Sequence, residues 1–240
     1  MNRAKFYEAL RASGILGKSL SQRQVDGISA ILDAAAGLPL PHVANILAQV
    51  QRETGGGMYP IKETVMIHHK DQNPSDATVI SRLDRAFAKG ELSWVSKPYW
   101  RGGMFGRGQI QITHEDNYGK RGLAAGVDLL SNPGRALELP VSAAIAVNGM
   151  AHGLFTGKKL SDYDGAKFDH EAARAIVNGD GDKRDKGATL TVGQGIAKSA
   201  KAFEAALRAA DTPTTTPAQP SGGIWAAIAA FFALFGKAKS

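Results

Sequence analysis

The stretch Met104-Phe-Gly-Arg-Gly-Gln-Ile-Gln-Ile-Thr-His-Glu-Asp-Asn-Tyr-Gly119 constrains the fold more than any other part of the chain. Elsewhere apolar residues recur at helical spacing; here they alternate. Gly106 and Gly108 free the backbone, and Gln109 and Gln111 alternate with Ile110 and Ile112. Alternation predicts a short extended segment with both amides on one face and both isoleucines on the other. Thr113, Asn117 and Tyr118 follow at once. A face of amides, a hydroxyl and an aromatic ring suits a neutral, hydroxyl-rich polymer, which points to a sugar.

Around this segment the pattern is helical. Residues 3–12 read as a short helix. Ser21-Gln-Arg-Gln24 resembles a capping box, opening a helix to about Ala36 whose stripe is Val25, Ile28, Ile31 and Leu32. Pro41 can occupy the first turn of the next helix, which carries Val43, Ile46, Leu47 and Val50 and ends near Glu53, before Gly55-Gly-Gly57. Further helices are predicted over 76–89, 117–123, 140–153, 170–177 and 192–210. The expected fold is mainly α: a lysozyme-like helical domain over 1–211, with a small β-hairpin near an active-site cleft. Residues 212–223 are a linker by their Pro, Thr and Gly content. Ile224 to Phe235 follows as an apolar helix, with Lys237 and Lys239 beyond it. Such a helix spans about 18 Å, short of the ~30 Å hydrocarbon core. It is expected to lie in a membrane interface or to dock on its own domain or a partner rather than to span, with an anionic membrane as a candidate partner.

Composition removes several alternatives. The 240 residues contain no cysteine, which excludes disulfides and thiolate metal sites. A net charge of +7 favours anionic partners. No run of five or more basic residues is present, which argues against nucleic acid. The N-terminus has no apolar signal-peptide core, so the expected location is the cytoplasm until release, then the cell wall.

Glu53 and Glu63 bracket the triple glycine. On one unbroken helix they would sit about 15 Å apart. The glycines and Pro60 allow a turn, so the two carboxylates can converge across a cleft. Glycoside hydrolysis uses such a pair, one acid and one base; two exposed surface glutamates are the alternative. Other patterns are weaker. Asn178-Gly-Asp-Gly-Asp182 starts like a calcium loop, but Lys183 and Thr189 stand where glycine and glutamate belong. His68, His69 and Asp71 could ligate a metal, yet adjacent histidines on a strand point opposite ways. Gly106-Arg-Gly108 lacks the third glycine of a dinucleotide loop. No metal or cofactor is expected.

Together these motifs resemble the family-nineteen glycoside hydrolases, the plant-type chitinases and their phage and bacterial lysozyme-like relatives. Phe105 to Thr113 and Asn117-Tyr-Gly119 carry the signature, and Gln49-Val-Gln-Arg-Glu-Thr-Gly-Gly56 is similar to the family's His-Glu-Thr-Gly-Gly box. Asn148 to Tyr163 and Ala173-Arg-Ala-Ile-Val-Asn-Gly179 resemble the phage and bacterial branch. The resemblance spans about residues 20–210. It implies a lysozyme-like helical fold and inversion, with Glu53 as general acid, Glu63 as general base and carboxyls roughly 6.5–9.5 Å apart. It implies that Thr113 helps hold the attacking water, and that Gln111, Asn117 and Asn178 contact sugar. Helix capping is the alternative role for Thr113 and Asn117. Arg52 departs from the family's histidine. It could lower the acid's pKa if it points into the site, or point away from it. The function expected is that of a monomeric endolysin cleaving β-1,4 bonds of peptidoglycan strands. A chitinase, a wall-binding module and a membrane-permeabilising protein are the alternatives.

Overall fold

A computed structural model describes residues 1–64, 71 and 73–211. The linker, the apolar tail and the pair His68 and His69 lie outside the described residues. Residues 1–210 form one compact unit.

Seven α-helices are present among the described residues: α1 Arg3–Ser13, α2 Gln22–Ala34, α3 Leu40–Glu53, α4 Asp76–Ala88, α5 Glu115–Ala124, α6 Leu139–Ala151 and α7 Val192–Asp211. The local signals act as physics requires. Ser21 and Gln24 form a reciprocal capping box at the start of α2, each bonding the other's backbone N–H. Asn2 and Ser75 cap α1 and α4. A proline opens α3 and another opens α6.

The organising element is α3. A helix that meets solvent shows one apolar stripe. Here His42 through Val50 are buried without a break. The main core wraps α3 with Phe6 and Leu10 of α1, Ile28 and Ile31 of α2, Met150 of α6 and Phe203 of α7. Three polar residues are enclosed with it, His42, Asn45 and Gln49. Burial of such groups requires partners. Asn45 donates to the His170 carbonyl at 3.3 Å, and Gln49 Nε2 donates to the Ala173 carbonyl at 3.2 Å.

Two smaller clusters support the far side. Val79, Leu83, Trp100 and Phe105 pack α4 under the glycine-rich segment. Ile112, Tyr118, Leu129 and Ile145 join that segment to α5 and α6. A two-stranded antiparallel sheet links the parts: β1 (Ile61–Lys62) pairs with β2 (Arg107–Gly108), Ile61 opposite Gly108. A further antiparallel bridge, Arg107 to Ile112, closes a tight turn. This is the small β element expected beside the cleft, although its sheet joins strands far apart in sequence.

Two expectations are corrected. Residues 109–111 are a turn, and Gln111 has a φ of 47°. The amides therefore do not share a face. Gln109 is fully buried and donates to the carbonyls of Met58 (2.7 Å) and Gly27 (3.3 Å). Ile110 and Ile112 enter different clusters. The Arg107–Ile112 closure leaves no room for an extended run. The helix predicted over 170–177 is only a 3-10 turn, Ala172–Ile176, tightened by bonds such as Arg174 N–H to the Glu171 carbonyl.

Candidate active site

α3 ends at Glu53 because the chain behind it turns sharply. Thr54 folds its hydroxyl back onto the Val50 carbonyl and accepts the Met58 N–H at 2.8 Å. Gly55 and Gly56 adopt φ of 57° and 84°, a left-handed backbone that favours glycine. The turn carries the chain into β1 and delivers Glu63 against the glycine-rich segment.

A cavity of about 310 Å³ lies at this end of α3. Glu53, Gln111, Thr113, Asn117 and Asn178 all line it, together with Arg121 and Phe155. Five of the six residues singled out in the sequence therefore share one cleft. Glu63 is the exception and does not line it.

Glu53 is held from behind. Arg174, from the 3-10 turn, donates to Glu53 Oε1 at 2.7 Å and to Gln49 Oε1 at 2.9 Å through the same nitrogen. Its remaining edge grips Asp180 at 2.7 and 3.2 Å. The guanidinium is 3% exposed and Glu53 18%. Burial alone would lower the Arg174 pKa, but the Asp180 hydrogen bonds and the charge of Glu53 raise it above the ordinary value. Burial pushes the Asp180 carboxyl up, while hydrogen bonding and charge from Arg174 more than offset this and hold it low. Gln49 is also tied to Asn45 Oδ1 at 3.3 Å, which fixes the orientation of its amide.

Glu63 is bound differently. The Tyr99 hydroxyl donates to its Oε1 at 2.6 Å, and the Gly106 N–H donates to its Oε2 at 2.8 Å. A Cβ on Gly106 would meet the Glu63 Cβ and Gln111 Oε1 at 3.0 Å each, so a larger residue there would crowd both. Burial, then the charge of Glu63, pushes the Tyr99 phenol well above its ordinary pKa. It stays protonated and donates. Each carboxylate oxygen keeps lone pairs for a further donor.

Gln111 donates to the carbonyls of Ile61 (2.9 Å) and Gly108 (2.8 Å), locking it between β1 and the turn. Gln111 and His114 both have positive φ. Two such residues bracket Thr113, and strained backbone of this kind clusters at working sites. The capping alternative for Thr113 does not hold: the N-cap of α5 is His114 and no side chain caps it. Asn117 accepts from Arg121 Nη1 at 2.5 Å. Arg52 turns away from Glu53 to a two-oxygen ion pair with Asp185. The calcium reading of 178–182 fails because both Asp180 oxygens face Arg174.

Sequence reasoning assigned no role to Arg174, Gln49, Tyr99 or Arg121, and weighed Asp180 only within the calcium pattern. Gln49 and Arg174 lay inside quoted motifs. Their roles become visible only when segments more than a hundred residues apart meet.

Residues 33–148, just under half the chain, match the family model Glyco_hydro_19, chitinase class I. The Basic 30 kDa endochitinase of Solanum lycopersicum is 60% identical over 104 residues, covering 41% of this chain and 29% of that protein. Endochitinase 3 of Solanum tuberosum is 69% identical over 96 residues, covering 38% and 26%. The chain thus spans less than a third of the length of the curated relatives it matches. The crystal structure of chitinase C from Streptomyces griseus HUT6037 superposes with a TM-score of 0.50 at 20% identity, covering 88% of this chain and 76% of that one. This is a likeness of fold: the mainly helical, lysozyme-like architecture is common to both.

Proposed function

We propose that this chain hydrolyses β-1,4 glycosidic bonds of N-acetylhexosamine polymers with inversion at the anomeric carbon. The observation that carries the reading is Glu53, held by Arg174 at the edge of a cleft lined by Thr113, Asn117, Gln111 and Asn178. In this reading Glu53 protonates the departing oxygen. Glu63 takes a proton from the attacking water, with Tyr99 and Gly106 fixing its two oxygens. Thr113 places a hydroxyl where water can be held. Gln111, Asn117 and Asn178 offer amides to sugar hydroxyls and acetamido groups.

The named relatives favour chitin as the polymer. Peptidoglycan, whose strands alternate N-acetylglucosamine with N-acetylmuramic acid, is the second reading. The net charge of +7 supports it, because that polymer is anionic. Within it, the chain would act as an endolysin, and the basic apolar tail over 224–240 would contact an anionic membrane.

Mass spectrometry of products from chitin oligosaccharides and from purified peptidoglycan, with the parent and with Glu53→Gln, tests the proposal. New reducing ends from either polymer, reduced by about a hundredfold or more in the variant, are the expected result. Undiminished cleavage by Glu53→Gln, or no cleavage of either polymer by the parent, would reject it.

A further inference from the structure

A second and larger cavity, about 830 Å³, shares no lining residue with the Glu53 cleft. The two meet at the end of α3, where Arg52 lines one and Glu53 the other. The walls of the larger cavity come from the loop after α1, the start of α2, the triple glycine and the loop entering α7.

Three features of its lining point to one chemistry. The first is charge. Arg52 is neutralised by Asp185. Arg23 makes no ion pair among the described residues, and its guanidinium rests 4.4 Å from the centre of the Tyr59 ring. The ring orients the cation without neutralising it. One positive charge is thus left for a ligand. The second is apolar surface. Leu190 is 42% exposed and lines this cavity beside Ile196. A large aliphatic side chain left open on a cavity wall offers a place for small apolar groups. The third is an acceptor without a donor. Gln51 gives its Nε2 to the Ile15 carbonyl at 2.9 Å, while its buried Oε1 has no hydrogen-bond partner. Gln51 lines the cavity, which makes a ligand N–H a candidate donor to it.

We propose that this cavity binds a short peptide bearing a carboxylate, the stem peptide carried on peptidoglycan strands. The carboxylate pairs with Arg23, alanine-sized side chains lie on Leu190 and Ile196, and a peptide N–H satisfies Gln51. The assignment rests on the glycan-hydrolase reading and sharpens it, since chitin carries neither peptide nor carboxylate. Arg52, the residue that departs from the family pattern, holds Asp185 on this wall and keeps its own charge from competing with Arg23.

The test uses the full chain and N-acetylmuramoyl-L-alanyl-D-glutamate as probe, followed by NMR titration. Saturable binding is expected, weakened about tenfold or more by Arg23→Gln and by amidating the probe's carboxylates. Arg23 is exposed, so the variant is expected to fold and to cleave chitin tetrasaccharide as the parent does. On peptidoglycan with intact stems its kcat/KM should fall, and on peptidoglycan stripped of stems it should match the parent. No saturable binding, or equal binding by Arg23→Gln, overturns the proposal. Inactivity of the parent on both glycans would defeat the hydrolase reading, while the titration would still decide the peptide site.

Discussion

Replacing Arg174, the cation that holds Glu53 from behind the cleft, with methionine should cost this protein substantial stability. The guanidinium is 3% exposed and makes four hydrogen bonds: one to Glu53, one to Gln49 and two to Asp180. Methionine keeps much of the volume and removes every donor. Breaking a buried pair by deleting one partner costs about 3–5 kcal/mol, because the other charge stays behind. Glu53 and Asp180 keep 18% and 20% of their side-chain surface in solvent, which places the loss near the lower bound, about 3 kcal/mol. For a domain of this size each kcal/mol moves Tm by about 2–4 °C, so the expected fall is about 6–12 °C. Urea and thermal unfolding at pH 7 measure it. A pH series adds a second check. The net shift of Asp180 is downward, so its pairing stabilises the fold above the ordinary aspartate pKa of about 3.9. That contribution is lost as pH falls through the lower folded value. The gap between parent and variant should be full at pH 7 and narrow below about pH 4. A loss under about 1 kcal/mol, or a gap unchanged down to pH 3, would refute the reasoning.

Tyr99→Phe removes the hydroxyl 2.6 Å from Glu63 Oε1 but keeps the ring against His114 and Trp100; kcat should fall about tenfold or more with KM little changed, read from steady-state kinetics. Because burial and Glu63 hold the Tyr99 phenol above its ordinary range, the parent's activity should show no break from this group between pH 5 and 9. Gly27→Ala would place a Cβ 1.9 Å from the Met58 carbonyl oxygen, backbone that cannot step aside; a loss of about 2 kcal/mol or more in thermal unfolding is expected, and a parent-like Tm would show that α2 and the 54–60 turn are less tightly packed.

The helices were legible in the sequence because their signals are local. The Ser21–Gln24 capping box, the prolines opening α3 and α6 and the glycines after Glu53 act within a turn or two of where they stand. The cleft was partly legible: residues from 53 to 178 meet in one cavity, as the motifs implied. Alternation misled at 109–112. Period two describes a strand only where the backbone stays extended, and a closed bridge from Arg107 to Ile112 forbids that. Burial of α3 on all sides was also hidden, since enclosing the polar Asn45 and Gln49 depends on partners at 170–174 that no local pattern reveals. Arg174 was invisible for the same reason. Its meaning lies in Glu53, 121 positions earlier, and no local pattern records that distance.

The most direct test of the account is the anomeric configuration of the first product. Chitin tetrasaccharide would be mixed with the parent protein and the new reducing end followed by proton NMR before mutarotation mixes the anomers. Inversion of a β-linkage, with Glu53 as acid and Glu63 as base on opposite faces of the sugar, should give the α-anomer first. An initial β-anomer would mean retention and would contradict the assignment of the two carboxylates.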